Sequence, residues 1–253
     1  GAAGMAHGSS VDAGEVLEGD DYNALMVFFR RWSAAMRKRG QAVPTPSSYT
    51  PTKGGAFDKI MKAGQRHRAA QIRESKALEQ MRAFGCERFE IQDIPPHGSK
   101  ETPGQVRKLD AQGVIQHLDY MASQNAKGRD IYIRPAPVEI DGEQYGQPYV
   151  FVDDLDADKL ARLEELGLPL AVQVESSPDN FHGWIRVDAD PLQPAELTKA
   201  ATLVAKAIGS DEGSADWRHH GRMAGFTNQK PSRRTGRGQP FVKMTEKVNE
   251  EIS

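Results

Sequence analysis

The chain has 253 residues, a formal net charge of −2 and no apolar run near the ~18–20 residues of a membrane span, which argues against a membrane protein. A single cysteine, Cys86, excludes an internal disulfide framework and a cysteine-based zinc site, and fits a reducing compartment. No signal-peptide pattern is visible, so a cytoplasmic location is expected.

Gly1-Ala2-Ala3-Gly4 ahead of Met5 reads as a remnant, and residues 1–21, small, polar and acidic, read as disordered. From Tyr22 to Arg39 a helix is predicted, with Leu25, Phe28, Phe29, Trp32 and Met36 on one stripe. Gly40 and Val43-Pro44-Thr45-Pro46-Ser47-Ser48 stop it as a linker. A second, basic helix runs from about Phe57 to Phe84 and closes at Gly85, placed for a left-handed cap. Then the pattern alternates: strand Arg88–Ile94, loop Pro95-Pro96-His97-Gly98, helix Val114–Gln124, strand Asp130–Arg134. Strand Tyr149–Asp153, helix Asp156–Leu166, strands Leu170–Glu175 and Phe181–Val187, and helix Pro194–Ile208 follow. The two late strands are joined by the turn-forming run Ser176-Ser177-Pro178-Asp179-Asn180. The order strand, helix, strand, strand, helix over residues 149–208 is that of a split ferredoxin-like (RRM-like) half. The expected class is α+β with a mostly antiparallel sheet plus N-terminal helices. The expected divisions are 1–21, a helical segment 22–70, a catalytic domain 71–245 and a tail 246–253.

Alternation places His182, Trp184 and Arg186 on one face of their strand, against Phe181, Ile185 and Val187. Tyr132 and Arg134 oppose Ile131 and Ile133, and Gln173 and Glu175 oppose Val172 and Val174. These strands are expected to offer an apolar face to helices and an open polar, aromatic and charged face as a working surface.

Net charge alone argues against a nucleic-acid partner, but its distribution argues for one. Tyr22–Glu90 holds fourteen Lys/Arg and five Asp/Glu; Glu139–Asp216 holds five and seventeen; Trp217–Lys243 holds seven and none. Basic segments flanking a carboxylate-rich middle suit a metal site between phosphate-binding walls. Asp153 and Asp154 end the run Tyr149-Val150-Phe151-Val152, the way a strand delivers metal ligands to a sheet edge. Neighbouring strand residues point to opposite faces, so the pair shares a metal only if the strand twists or ends there. Asp154 and Asp156 would share a face more simply, unless Asp156 caps the next helix. His182, near Arg186, can donate to a triphosphate. If Trp217–Met223 is helical, Arg218 and Arg222 form an i,i+4 phosphate clamp, followed by the basic run Arg233-Arg234-Thr235-Gly236-Arg237.

Five blocks, in order, carry a family resemblance: Phe84-Gly85-Cys86-Glu87-Arg88-Phe89, Asp130-Ile131-Tyr132-Ile133-Arg134-Pro135, Phe151-Val152-Asp153-Asp154-Leu155, Val174-Glu175-Ser176-Ser177-Pro178, and Ser214 through Asn228. From about Leu78 to Lys243 the chain resembles the catalytic domain of RepB-type plasmid primases, of the archaeo-eukaryotic primase superfamily. The resemblance implies metal-binding acids at Asp153 and Asp154, a phosphate-holding histidine at His182, and a third acid at Asp211, with Asp216 the lower-ranked choice. Arg218, Arg222, Asn228 and Lys230 become candidate nucleotide or template contacts; Asp156 and Arg186 rank below them. One departure is that many superfamily members space their first two acids by one residue, whereas here they are adjacent.

The resulting expectation is a nucleotidyltransferase of two-metal type: a DNA primase using Mg²⁺ or Mn²⁺, nucleoside triphosphates and a single-stranded DNA template in plasmid or mobile-element replication, with a replication helicase as a further partner. The alternatives are a primase-polymerase that mainly extends primers, and a nonenzymatic single-stranded-DNA-binding replication or mobilisation protein. A relaxase is disfavoured, because no histidine cluster accompanies a nucleophilic tyrosine.

Overall fold

The computed structural model describes residues 56–245 except 97, 98, 211 and 237, with side chains from Lys62 onward. Residues 1–55 and 246–253, and so the expected Tyr22–Arg39 helix, linker and tail, lie outside the described residues, as does Asp211. The chain divides into two compact units between Gln71 and Ile72; the fold and site below belong to the second.

Helix α1, Ala56–Phe84, ends where the amide of Gly85, at φ +63°, donates to the carbonyls of Met81 and Arg82. Its last two turns bury Ala77, Gln80, Met81 and Phe84, the i, i+3, i+4, i+7 stripe of a helix with one face in a core. Strands β1 (Arg88–Ile94), β2 (Arg107–Asp110), β3 (Asp130–Pro135) and β9 (Gly221–Arg222) form an antiparallel sheet in the order β2-β1-β3-β9. Helix α2, Ala111–Ala126, starts at Asp110, whose carboxylate accepts from the Gly113 amide, and it buries Val114, Leu118 and Met121. A short hairpin, β4 (Val138–Ile140) and β5 (Glu143–Tyr145), follows β3.

The second sheet has the order β10-β7-β8-β6, from β6 (Tyr149–Leu155), β7 (Leu170–Ser177), β8 (Asn180–Arg186) and β10 (Lys243–Met244), again antiparallel. With α3 (Ala157–Glu165) after β6 and α4 (Pro194–Ile208) after β8, it realises the ferredoxin-like half. One face carries Val150, Val152, Leu155, Leu170 and Ile185 onto Leu163 of α3 and Leu197, Ala201, Val204 and Ile208 of α4. The opposite face carries Tyr149, Phe151, Val172, Val174 and Trp184 into one core with α1, α2 and the first sheet. A register shift between Leu170 and Val172 lets those two residues serve different cores despite their even spacing.

The open sheet face expected across β8 does not form. His182 and Trp184 are each 2% exposed, and they share their face with Val174 and Val172, their cross-strand partners. Alternation reports which side chains share a face and says nothing of what covers it. Here Phe84 of α1, 4.8 Å from the Trp184 ring, and Gly221 of the first sheet lie over it.

Candidate active site

The site forms where β6 and β8 approach the polar side of β3 and β9. Val152 pairs with Gly183 and Leu155 with Phe181, so Asp153 and Asp154 together oppose a single residue, His182. This is a β-bulge, with Asp154 in the left-handed region at φ +52°. The bulge resolves the geometric difficulty of two adjacent acids. Without it Asp154 would follow Val150 and Val152 into the apolar core; the extra residue gives that place to Leu155 and keeps both carboxylates at the strand edge. Oδ1 of Asp153 accepts from the Asp154 amide at 2.9 Å. The Asp154 carboxylate accepts from Asn180 Nδ2 at 3.1 Å and lies 3.7 Å from the Arg233 guanidinium, while Lys159 Nζ donates to the Asp154 carbonyl.

His182 is neutral at ordinary pH. Burial pushes its imidazole down to about 4; Asp153 opposes that shift, and Arg222 and His219 reinforce it. Its ring bonds to the Arg222 backbone, and Nε2 is buried without a hydrogen-bond partner among the described residues. Around it Phe151 stacks on His219 at 4.8 Å and 14°, and the His182 ring lies 5.7 Å from Phe151.

Arg222 stands on β9 and not on a helix: residues 217–218 form a turn, and the chain is extended at 221–222. Its guanidinium binds Asp130 through Nε to Oδ1 at 3.2 Å and Nη2 to Oδ2 at 3.0 Å, and lies 5.4 Å over the Tyr132 ring. Burial works against its charge, but the Asp130 hydrogen bonds, with Tyr132, Asp130 and Asp153, outweigh it and raise its pKa. The Tyr132 hydroxyl is pushed up to about 12, chiefly by burial, with Arg222 opposing and Asp130 and Asp153 adding to the shift. Asp153 and Arg222 thus act electrostatically on both His182 and Tyr132 in the cleft between the sheets.

The other predicted residues are placed elsewhere. Arg218 is exposed and paired with Asp216 at 3.0 Å, beside α4, so no Arg218–Arg222 clamp exists. Asp216 also accepts from the Arg218 amide, and its carboxyl lies below the usual range mainly through the Arg218 side-chain hydrogen bond. Asp156 caps α3, accepting from the Lys159 amide at 2.9 Å, which holds its carboxyl low. Asn228 is 1% exposed; its amide donates to the Ser176 carbonyl and accepts from the Lys230 amide, so it ties loops together. Lys230 is exposed at the start of the 3₁₀ turn Pro231–Arg233. Arg186 pairs across from Tyr149 at the far end of β8, away from the acids. Among the described residues no group of three or more His, Cys, Asp or Glu can hold a metal; Asp211 lies outside them.

Three participants escape sequence reading as site residues: Asp130, Asn180 and Arg233. Each depends on a long-range contact, to Arg222 or Asp154, that no local pattern encodes. Buried Asn125 of α2 is a fourth, structural one. It bonds the backbone of Arg129 and Thr227 and so fixes the loop leading to Gln229, whose amide donates to Asp130.

Residues 94–253 match the RepB DNA-primase N-terminal domain. The chain belongs to that family. The RepB primase domain described here is 39% identical to mobilization protein A of Escherichia coli over 171 residues, which is 66% of this chain and 22% of that protein. It is similar to the crystal structure of primase RepB′ (33% identity, TM-score 0.60, 69% of this chain and 56% of that one). It is also similar to the catalytic domain of RepB′ solved with initiator DNA (32% identity, TM-score 0.59, 69% and 85%). The chain therefore spans about a fifth of the length of its mobilization relative. The expected α+β primase-type fold and the family resemblance are both borne out. No helix among the described residues is long and apolar enough to cross a membrane.

Proposed function

We infer that this RepB primase domain makes short primers on single-stranded DNA by nucleotidyl transfer, in the replication of a plasmid or other mobile element. The observation that carries the reading is the bulge that aims Asp153 and Asp154 outward opposite a buried histidine with an unpartnered Nε2. Membership of a primase family, and a relative solved with initiator DNA, support it.

Two adjacent carboxylates are hard oxygen donors that fit Mg²⁺ or Mn²⁺, so Asp153 and Asp154, joined by Asp211, would hold the ion. When bound, a divalent cation lowers the pKa of an attacking 3′-hydroxyl and neutralises triphosphate charge. The chain's own residues orient the reactants. His182 presents Nε2 to a phosphate oxygen, and a triphosphate there supplies the negative charge that favours its imidazolium. Arg222, fixed by Asp130, places a permanent cation beside the same groups, and Arg233 adds a second near Asp154. Stacked Phe151 and His219 form an aromatic wall against which a base can lie. Single-stranded DNA and nucleoside triphosphates are the proposed partners, with a replication helicase outside this chain.

The test supplies labelled ATP, GTP, CTP and UTP with a panel of single-stranded templates, with and without a primer. Synthesis without a primer, lost in Asp153→Ala, is expected. Incorporation only when a primer is supplied would make the domain a polymerase that extends. Template binding with no incorporation would make it a DNA-binding protein.

A further inference from the structure

At the end of β6 and β8 away from the acids lies a cavity of about 360 Å³. Phe84, Tyr149, Pro137 and Pro148 give it apolar walls, and the cations Arg88, Lys108 and Arg186 line it, with Glu87 as the one acid among the described lining residues. All three cations are exposed. Lys108 donates to the Pro137 carbonyl and Arg186 to the Asp188 carbonyl, which steadies their stems and leaves further donors on each. Cys86 is also in the wall, but burial pushes its thiol up to about 11, so it is not a poised nucleophile.

This cavity shares part of its wall with a neighbouring cleft. Pro137, Gln147 and Tyr149 line both it and a smaller cleft formed by Arg134, Phe151, Trp217 and His219. In that cleft Arg134 lies 5.3 Å over the Trp217 ring, and Phe151 leads on to His182. The basic cavity and the carboxylates thus lie towards opposite ends of the β6–β8 pairing, Arg186 opposite Tyr149 at one end and His182 opposite the acid pair at the other. Along β8 the distance from His182 to Arg186 is four residues, about 13 Å at a rise of ~3.3 Å. That is of the order of one nucleotide with its phosphates extended, and the volume lies within the range of small-ligand pockets.

We propose that the Arg88–Lys108–Arg186 cavity is a second phosphate-binding site, holding a nucleotide phosphate about one nucleotide away from the acid pair. The phosphate belongs either to the 5′ end of the initiating nucleotide or to the backbone of a DNA strand. The inference rests on the proposed primase reading for the nucleotide at the acids, but its test does not use catalysis.

Two labelled ligands separate the sources: a 5′-triphosphorylated dinucleotide, and a short single-stranded oligodeoxynucleotide with a 5′-hydroxyl. Anisotropy titrations of the full chain in EDTA compare wild type with Lys108→Glu/Arg186→Glu. A control with the same charge change, Lys199→Glu/Lys206→Glu on α4, reports bulk electrostatics. The cavity pair is expected to weaken at least one ligand tenfold, and the control less than twofold. Loss confined to the triphosphorylated ligand assigns the site to the 5′ end, and loss confined to DNA assigns it to the backbone. If wild type binds neither ligand, if the cavity pair leaves both unchanged, or if the control weakens binding equally, the proposal is overturned. Should circular dichroism show the reversal pair misfolded, Lys108→Gln/Arg186→Gln replaces it with a fivefold loss expected. Failure of primer synthesis by wild type would instead overturn the primase reading and leave this result standing.

Discussion

The Arg222 guanidinium is gripped by both carboxylate oxygens of Asp130, at 3.2 and 3.0 Å, in a position where neither side chain is more than 17% exposed. Removing one partner from such a pair leaves a buried charge uncompensated, at a cost of about 3–5 kcal/mol. Asp130→Asn is therefore expected to lower unfolding free energy by about 3 kcal/mol in urea titrations, and Arg222→Lys to lose the two-pronged geometry. An Asp130→Asn protein as stable as wild type would show that the pair does not anchor β9.

The acids themselves should behave differently. Asp153 is half-buried and accepts a local hydrogen bond from the Asp154 amide, so Asp153→Ala should fold like wild type. Primer synthesis should fall by on the order of 10³-fold or more, as when transition-state charge stabilisation is removed. Chelation by EDTA should reproduce the loss in wild type, with activity restored by Mg²⁺ or Mn²⁺. Robust synthesis by Asp153→Ala would remove this residue from the site.

Asp154 combines a charge with an unusual backbone. At φ +52° a β-branched side chain is strained, by roughly 1–2 kcal/mol, whereas glycine and asparagine are not. Thermal unfolding should rank Asp154→Asn and Asp154→Gly close to wild type and Asp154→Val below them, with all three impaired in synthesis. Equal stability of the valine variant would mean that the bulge is absent or moves freely.

His220 gives the domain an acid sensitivity of its own. Burial, with Arg134 and His219 beside it, pushes its imidazole down to about 3 from an ordinary 6.5. The unfolded chain then binds a proton below pH 6.5 that the folded chain refuses, so stability is full above that pH and falls as pH drops towards 3. The slope is up to about 1.4 kcal/mol per pH unit, or about 2 kcal/mol between pH 6.5 and 5. Denaturant titrations across that range should be flatter for His220→Gln by that amount. Unchanged slopes would show that His220 charges in the folded state.

Much of this architecture is written in local pattern. The bounds of β1 and α4 agree with periodicity to the residue, and those of β6, β7 and β8 within two, because hydrophobic alternation and a proline at a helix start are local signals. Strands β2, β9 and β10 were not readable; with two to four residues each they lack a period and exist only through their partners. The same division holds at the site. Asp153, Asp154 and His182 are visible as strand-borne groups, while the Arg218–Arg222 spacing suggests a helix that tertiary pairing with β3 overrides. The choice between Asp154 and Asp156 as neighbours of Asp153 turned on a bulge and a helix cap, each set by backbone geometry.

At Gly221 the first sheet brings bare backbone against the second. A methyl group there would collide with Cη2 of Trp184 and come within 2.7 Å of Cδ2 of His182. The two halves of the cleft thus meet in direct contact beside the histidine, with no room for a side chain at 221. In the proposed site, the spacing between Arg222 and His182 is therefore set by a backbone contact that only glycine at 221 allows.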